Sequence, residues 1–157
     1  MNGSREARKS FPRGLAVFVL EDSDEDFETL ETALRDTGLV PELRRALTGD
    51  GFLDLLRGRP AGSRAASMLV LIDLNTPGLD GRDVLHDLRA DEHLRTIPVV
   101  VLTTSSNPYD IDSCYAAGAN AYHVKPFDPE AHQAVVRRIM EYWLIDAALP
   151  QAPGFAS

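Results

Sequence analysis

The sequence is poor in cysteine and in long apolar runs, and each shortage excludes a class of protein. Cys114 is the single cysteine, which excludes an internal disulfide and suits a reducing compartment. The apolar runs are about as long as a strand, far below the roughly 20 residues that span a bilayer. No apolar stretch typical of a signal peptide follows the N-terminus. We therefore expect a cytoplasmic protein with no membrane partner.

Positive charge is scarce over most of the chain. The 157 residues carry a net charge of −8, but residues 1–13 carry +3, so residues 14–157 carry −11. An acidic body is a poor electrostatic match for nucleic acid and suits protein partners or a metal cation. The length allows one domain of ordinary size. We predict a flexible basic arm over residues 1–13, one domain over residues 14–148 and a C-terminal tail over residues 149–157.

Unbroken apolar runs alternate with segments of helical periodicity. Residues 15–20, 68–72 and 98–102 are typical of strands buried on both faces of a parallel sheet. Residues 41–47 are half polar and predict an edge strand, and residues 121–124 predict a last short strand. This order indicates an α/β fold: a doubly wound, five-stranded parallel sheet in the order 2-1-3-4-5, with five helices on both faces.

Polar residues follow four of these strands. In open parallel sheets, ligands bind in the crevice outside the carboxyl ends of the strands, so side chains placed there are candidates for chemistry. An aspartate at such a position can alternatively serve a loop or cap a helix. The candidates are Glu21 and Asp22 after the first strand, Asp73 after the third, Thr103 at the end of the fourth and Lys125 after the fifth.

The crowded carboxylates predict a bound cation. Three carboxylates in one crevice repel one another unless a cation joins them, and Mg2+ prefers oxygen ligands, here Asp22, Asp73 and the backbone carbonyl of Asn75. With that charge neutralised, Asp73 is a candidate nucleophile for phosphorus. Lys125 and Thr103 would stabilise the charge on the phosphoryl oxygens. From residue 14 onward every cation except Lys125 is arginine, and a compact ammonium suits a phosphoryl group; the alternative is a lysine that faces solvent.

Four motifs then appear in order along the chain, and each contains a strand end. They are Leu-Glu-Asp-Ser at 20–23, Leu-Ile-Asp-Leu-Asn-Thr-Pro at 71–77, Val-Leu-Thr-Thr-Ser at 101–105 and Val-Lys-Pro-Phe at 124–127. Over about residues 15–145 this pattern resembles the receiver domain of two-component response regulators. The resemblance implies a flavodoxin-like fold and transfer of a phosphoryl group from the histidine of a sensor kinase to Asp73.

The same resemblance implies a role for each matched residue. Glu21 and Asp22 are the acidic pair, with Asp22 the closer metal ligand. Thr103 is the switch hydroxyl, Lys125 the phosphate contact and Tyr122 the aromatic whose rotamer follows Thr103. The resemblance implies a phosphoacceptor that assists its own phosphorylation and dephosphorylation, not an enzyme that acts on other substrates.

A narrower resemblance concerns the partners. The Thr-Thr-Ser run at 103–105 and the Trp-Leu pair at 143–144 are similar to single-domain regulators that partner bacterial phytochromes. This implies a phytochrome as the sensor kinase. The output is then a change in the surface of the fourth helix, fifth strand and fifth helix, recognised by a downstream protein or a phosphorelay partner.

Two other functions share parts of the pattern. A phosphatase of the haloacid-dehalogenase type also uses a strand-end Asp, Mg2+, a Thr or Ser, and a Lys. That chemistry requires a second Asp, the general acid, two residues after the nucleophile. This chain has Asn75 there, and an amide cannot donate and take back a proton as a carboxyl group does. A receiver-like binding module without phosphorylation predicts the loss of Asp22, Asp73, Thr103 or Lys125, and all four are present.

The last helix predicts a homodimer. Its end, residues 142–145, carries more apolar area than its own core side requires. The alternative is that the tryptophan in this segment only closes the core of the domain. The candidate interface residues are Ile139, Tyr142, Trp143 and Leu144.

Overall fold

A computed structural model describes residues 14–58 and 66–152, and they form the predicted α/β architecture. The predicted N-terminal arm lies outside the described residues. The strands are β1 (Leu15–Leu20), β2 (Glu42–Ala46), β3 (Ser67–Ile72), β4 (Val99–Thr103) and β5 (Ala121–Val124). The helices are α1 (Asp24–Thr37), α2 (Gly49–Arg57), α3 (Gly81–Ala90), α4 (Pro108–Ala116) and α5 (Pro129–Glu141), and α5 continues into a π-helical turn (Tyr142–Asp146).

The strands are all parallel and lie in the order β2-β1-β3-β4-β5, which confirms the predicted topology. Every residue of β1 and β4 is buried, as expected for strands covered on both faces. β2 is mostly half-buried and lies at the edge, as its half-polar sequence predicts. The reversal of strand order falls between β1 and β3, so the crevice at the topological switch point lies between the strands that precede Glu21 and Asp73.

Two apolar layers cover the sheet, because alternate strand residues point to opposite faces. Phe18 and its neighbours at even positions of β1 pack with α2, α3 and α4. Val17 and its neighbours at odd positions pack with α1 and α5. The single cysteine, Cys114, is fully buried in the first layer. α1 and α5 therefore lie side by side on one face, which brings their ends together at the carboxyl edge of the sheet.

The helices begin at side-chain caps that the sequence supplies. Ser23 caps α1 by accepting the Asp26 amide, Asn107 precedes Pro108 in α4, and Asp128 precedes Pro129 in α5. The predicted tail is anchored as far as Ala152, which is buried and whose amide donates to the Ala66 carbonyl at 2.7 Å. In the described part of the chain, no helix combines the length and apolar character needed to cross a bilayer.

Candidate functional site

The carboxyl ends of the strands bring the predicted site residues to one edge of the sheet. The hydrogen-bonded ladder continues past the strand ends: the Asp73 amide donates to the Leu20 carbonyl at 3.0 Å, and the Lys125 amide donates to the Thr103 carbonyl at 2.7 Å. Glu21 follows β1 directly. Because these residues extend the ladder, their backbone is fixed and their side chains share one crevice. The geometry brings together Glu21, Asp73, Thr103 and Lys125, as the sequence predicts.

Lys125 lies at the centre of this crevice. Its Nζ donates to Oε2 of Glu21 at 2.7 Å, to Oδ2 of Asp26 at 2.8 Å and to Oδ2 of Asp73 at 2.8 Å. An ammonium has three N–H donors, so these carboxylates engage all of them. The residue is only 4% exposed. The alternative of a lysine facing solvent does not hold.

Burial and charge shift the pKa values of these groups in different directions. Burial raises the pKa of Glu21 to about 7, although Lys125 opposes the shift. Burial also acts to raise the pKa of Asp73, but the hydrogen bond and charge of Lys125 outweigh it and hold that pKa below its ordinary value. Burial disfavours the Lys125 ammonium, yet its three carboxylate partners raise the pKa of Lys125 overall. Asp73 is therefore ionised at neutral pH, as a nucleophile must be.

The acidic groups fit a divalent cation. Carboxylate oxygens of Glu21, Asp26 and Asp73 lie within 4.8 Å of one another, and Mg2+ and Mn2+ both prefer such oxygen donors. Asp22 is exposed, and Asp26 rather than Asp22 completes this group. The assignment of Asp22 and of the Asn75 carbonyl as ligands stays a prediction.

Thr103 and Tyr122 lie on the side of the crevice that leads to α4. Thr103 is fully buried, and its hydroxyl accepts a hydrogen bond from the Asn75 side-chain amide at 3.3 Å. The backbone amide of Asn75 donates to Oδ1 of Asp73 at 3.1 Å. The Tyr122 hydroxyl donates to the Ser105 carbonyl at 2.8 Å. Thr103 is thus linked through Asn75 to the candidate acceptor, and Tyr122 holds the loop that follows Thr103.

A network of charged side chains continues from that loop. The Ser105 hydroxyl donates to Oδ2 of Asp110 at 2.6 Å, and Nη1 of Arg82 donates to Oδ1 of Asp110 at 2.7 Å. Arg82 also pairs with Asp80, the N-cap of α3. The hydrogen bonds to Asp80 hold the pKa of Arg82 above its ordinary value, and the charge of Asp110 acts in the same direction. The loop after β4 is therefore connected to both α3 and α4.

Asp26 and His132 also belong to this site, and neither residue lies in the sequence motifs. Asp26 lies in the first turn of α1, where acids are also expected because they complement the helix dipole. His132 lies on α5, 7% exposed, with Nδ1 3.9 Å from Oδ1 of Asp26, and burial lowers its pKa. The available signal for Asp26 was its place on a helix that begins at the carboxyl edge. No sequence signal marks His132, because its position depends on the packing of α1 against α5.

The predicted interface residues divide into two groups. Ile139 and Leu144 are buried by the chain's own residues, 3% and 5% exposed, in the core layer of α1 and α5. This corrects the predicted surface at Leu144, and Ile139 only lines a groove of about 470 Å3 beside β5 and α5. Tyr142 is 55% exposed and Trp143 is half-buried, and both line that groove. The dimer itself stays a prediction.

Known proteins are similar to this chain over most of its length. The family model of the response regulator receiver domain matches residues 17–137. The probable methanogenesis regulatory protein FilR2 of Methanothrix harundinacea is 35% identical over 82% of this chain and 83% of its own length. Response regulator Rcp1 of Synechocystis is 34% identical over 87% of this chain and 93% of its own length.

Solved structures agree with these matches. The Mn2+-bound form of response regulator Rcp1 is similar with a TM-score of 0.78 and 31% identity, covering 86% of this chain and 98% of that one. The phosphorylated cyanobacterial phytochrome response regulator RcpA is similar with a TM-score of 0.79 and 34% identity, covering 87% of this chain and 99% of that one. With the sheet order and the strand-end residues already described, these matches show that the chain belongs to the response regulator receiver domain family.

Proposed function

We propose that the chain is a response regulator in which Asp73 accepts a phosphoryl group from a sensor histidine kinase. The observation that carries this proposal is the pairing of Asp73 with Lys125, an ionised nucleophile and a buried cation 2.8 Å apart at the carboxyl edge of the sheet. Both are nearly enclosed, at 8% and 4% exposure. Burial strengthens the interaction between charges, so a buried pair suits a reaction that moves negative charge.

In the proposed reaction, a carboxylate oxygen of Asp73 attacks the phosphorus of a phosphohistidine. An oxygen–phosphorus bond forms, the phosphorus–nitrogen bond breaks, and the released imidazole keeps the electron pair of that bond. Lys125 stabilises the charge of the phosphoryl oxygens, and the Thr103 hydroxyl donates a hydrogen bond to one of them. Glu21, Asp22, Asp73 and the Asn75 carbonyl would hold Mg2+, which when bound neutralises the carboxylates and the phosphoryl oxygens.

The proposed kinase is a phytochrome. The support is the similarity to RcpA, a cyanobacterial phytochrome response regulator, over nearly the whole length of that protein. A phosphoacceptor must share a compartment with the catalytic domain of its kinase, so we propose that the chain acts in the cytoplasm. The acidic charge of residues 14–157 favours a protein partner over nucleic acid.

The proposed output is a change of surface. Thr103 would turn toward the phosphoryl group, and Tyr122 would follow into the vacated space and release the Ser105 carbonyl. Because Ser105 is also bonded to Asp110 of α4, this movement alters the face formed by α4, β5 and α5. That face is the proposed contact for a downstream protein or phosphorelay partner, and Tyr142 and Trp143 at its edge are the proposed homodimer contact.

The test is the mass of the intact protein after incubation with acetyl phosphate. We expect a gain of one phosphoryl group that requires Mg2+ and is absent in the Asp73→Asn variant. Asn keeps the size of the side chain and removes the nucleophilic oxygen, so it is the matched control. The second arm replaces acetyl phosphate with a phytochrome histidine kinase labelled with radioactive phosphate, and transfer to the wild type alone supports the partner assignment.

Other outcomes would indicate other functions. Release of inorganic phosphate without a lasting mass gain would indicate a phosphatase. Neither mass gain nor release would indicate a binding module that keeps the fold and not the reaction. Transfer from acetyl phosphate but not from phytochrome kinases would leave the phosphoacceptor proposal standing and remove the proposed partner.

A further inference from the structure

We propose that Asp26 is a positioning residue that holds the Lys125 ammonium in place while the other partners of that ammonium change. This inference rests on the proposed phosphoryl transfer to Asp73. Asp26 lies outside the strand-end motifs, on the first turn of α1, yet its Oδ2 accepts a hydrogen bond from Lys125 at 2.8 Å, the same length as that of Asp73 and close to the 2.7 Å of Glu21.

The Lys125 ammonium has three N–H donors and no more. All three N–H groups are engaged, so the ammonium must give up one partner before it can bond a phosphoryl oxygen. Phosphorylation converts the Asp73 carboxylate into a mixed anhydride, which removes its charge and makes its oxygen a weaker acceptor. The bond to Asp73 is therefore the one that passes to the phosphoryl group.

Glu21 is a poor anchor in this exchange. Glu21 is one of the residues proposed above to hold Mg2+, whereas Asp26, whose carboxylate also lies within 4.8 Å of those of Glu21 and Asp73, is assigned here to Lys125. The bond between Glu21 and Lys125 therefore varies with metal occupancy. Asp26 remains as the partner that must keep Lys125 directed at the acceptor site.

The surroundings of Asp26 suit an anchor. Its backbone is fixed because its amide donates to the Ser23 hydroxyl, the N-cap of α1, at 3.2 Å. Nδ1 of the buried His132 of α5 lies 3.9 Å from its other oxygen, Oδ1, so the carboxylate lies between α5 and the Lys125 ammonium. Glu21 and Asp73 tie Lys125 to the sheet, whereas Asp26 ties it to α1. Removing Asp26 frees the ammonium in that direction.

Electrostatics alone predicts the opposite effect, which makes the test sharp. A carboxylate near the crevice repels an anionic phosphodonor, so removing its charge should speed phosphorylation if Asp26 acts only through its charge. An anchor predicts slower phosphorylation, because a misplaced catalytic group costs rate. The sign of the effect therefore separates the two roles.

The experiment compares Asp26→Ala, Asp26→Glu and Glu28→Ala with the wild type. Glu28 is an exposed acid on the same helix, so Glu28→Ala removes the same charge from α1 without touching Lys125. The rate is measured from intact mass over a range of acetyl phosphate concentrations, which separates the maximal rate from the concentration at half-maximum. Mn2+ affinity is measured by electron paramagnetic resonance, and thermal unfolding reports whether each variant is folded.

We expect Asp26→Ala to lower the maximal rate about tenfold, with Mn2+ affinity changed less than about twofold. We expect Asp26→Glu to recover most of the rate, because it restores a carboxylate on the same turn, and Glu28→Ala to match the wild type. A rate in Asp26→Ala equal to or above that of Glu28→Ala would overturn the proposal. A parallel loss of Mn2+ affinity would also overturn it, because Asp26 would then be a metal ligand. A wild type that gains no phosphoryl group would overturn the proposed function and this inference with it.

Discussion

Asn75 and Thr103 are joined across the carboxyl ends of β3 and β4 by a hydrogen bond in which the asparagine amide donates and the threonine hydroxyl accepts, at 3.3 Å. A hydroxyl that accepts there keeps its own proton free to donate. Asn75 therefore leaves the Thr103 proton available for a phosphoryl oxygen on Asp73. An aspartate at position 75 would instead accept a hydrogen bond from the hydroxyl and occupy that proton. Asn75, which lacks the acid group that a phosphatase needs at this position, therefore also leaves the Thr103 hydroxyl able to donate to the phosphoryl group.

This relationship predicts that the hydroxyl and not the shape of Thr103 matters for phosphorylation. Thr103→Val keeps the volume and removes the donor, and a hydrogen bond to a charged group is worth about 1.5 kcal/mol or more, so we expect phosphorylation by acetyl phosphate to slow at least about tenfold. Thr103→Ser keeps the hydroxyl and should stay near the wild-type rate. Time courses of intact mass provide the measurement, and equal rates for the two variants would contradict the prediction.

Lys125 should contribute to stability as well as to chemistry. Lys125→Met leaves three carboxylates in one crevice without their common cation, and we expect the free energy of unfolding to fall by about 3 kcal/mol near neutral pH. Lowering the pH should recover much of this lost stability, because the carboxylates then bind protons. Adding Mg2+ should do the same, because its charge replaces that of the ammonium. Urea unfolding at two pH values, with and without Mg2+, measures this. A loss that neither treatment reduces would contradict the electrostatic cause.

Glu21 should make stability depend on pH near neutrality. Burial raises its pKa from 4.5 to about 7, so the folded state holds a proton that the unfolded state releases. The resulting stabilisation is fully present below pH 4.5 and is lost as the pH rises through about 7. Glu21→Gln cannot bind this proton, so its free energy of unfolding lacks this loss. The difference in the free energy of unfolding, variant minus wild type, should therefore rise between about pH 5 and about pH 8.

Urea unfolding at three pH values in that range, without metal, measures the difference between Glu21→Gln and the wild type. The depressed pKa of Asp73 acts below 3.8 and does not enter this window. Glu28→Gln, an exposed change on α1, serves as the control. A difference that stays constant with pH would show that Glu21 is ionised throughout.

The predicted dimer depends on the aromatic pair at the end of α5. The rings of Tyr142 and Trp143 are in edge contact, with centroids 5.1 Å apart, beside the groove along β5. Tyr142→Ala and Trp143→Ala should each shift the protein toward monomer in sedimentation velocity, because apolar and aromatic area drives such contacts. Phe127→Ala, an exposed aromatic in the loop between β5 and α5, should not. Unchanged sedimentation of both variants would place the dimer contact elsewhere or exclude it.

The fold and most of the site were predictable because their causes are local. β1, β3 and β4 are covered on both faces, and that burial demands the uninterrupted apolar runs seen in the sequence. Because the strands are parallel, the residues at their carboxyl ends all lie at the same edge of the sheet. The convergence of Glu21, Asp73, Thr103 and Lys125 can therefore be predicted without knowing how the side chains pack.

The remaining features depend on packing between distant segments. Asp26 reaches Lys125 across 99 positions of sequence only because α1 and α5 lie side by side. The π-helical turn that follows α5 buries Leu144 while Tyr142 stays exposed, and its packing against the core layer of α1 and α5 decides which of its residues are covered. The anchoring of Ala152 on Ala66 likewise has no local signal, because it pairs two chain segments at the opposite edge of the sheet.

Two glycines with positive φ offer a matched test of backbone strain against side-chain contact. Gly38 ends α1 with φ of 74°, and a Cβ there would meet nothing within 4 Å. Gly118 has φ of 104°, and a Cβ there would lie 2.9 Å from Cγ and Nε of Arg89. The carbonyl of Gly118 also accepts hydrogen bonds from Nε and Nη2 of Arg89, at 3.0 and 2.8 Å.

We expect Gly38→Ala to lower the free energy of unfolding by about 1 kcal/mol, the cost of a left-handed conformation for a side chain with Cβ. Gly118→Ala should cost about 2–3 kcal/mol, because Arg89 must also move and leave carbonyls it now satisfies. Urea unfolding of both variants, each made again in an Arg89→Ala background, measures the difference. The extra cost at Gly118 should shrink in that background because the clash is gone, while the cost at Gly38 should not change. Equal costs for the two glycines, or no relief by Arg89→Ala, would show that backbone strain alone accounts for both.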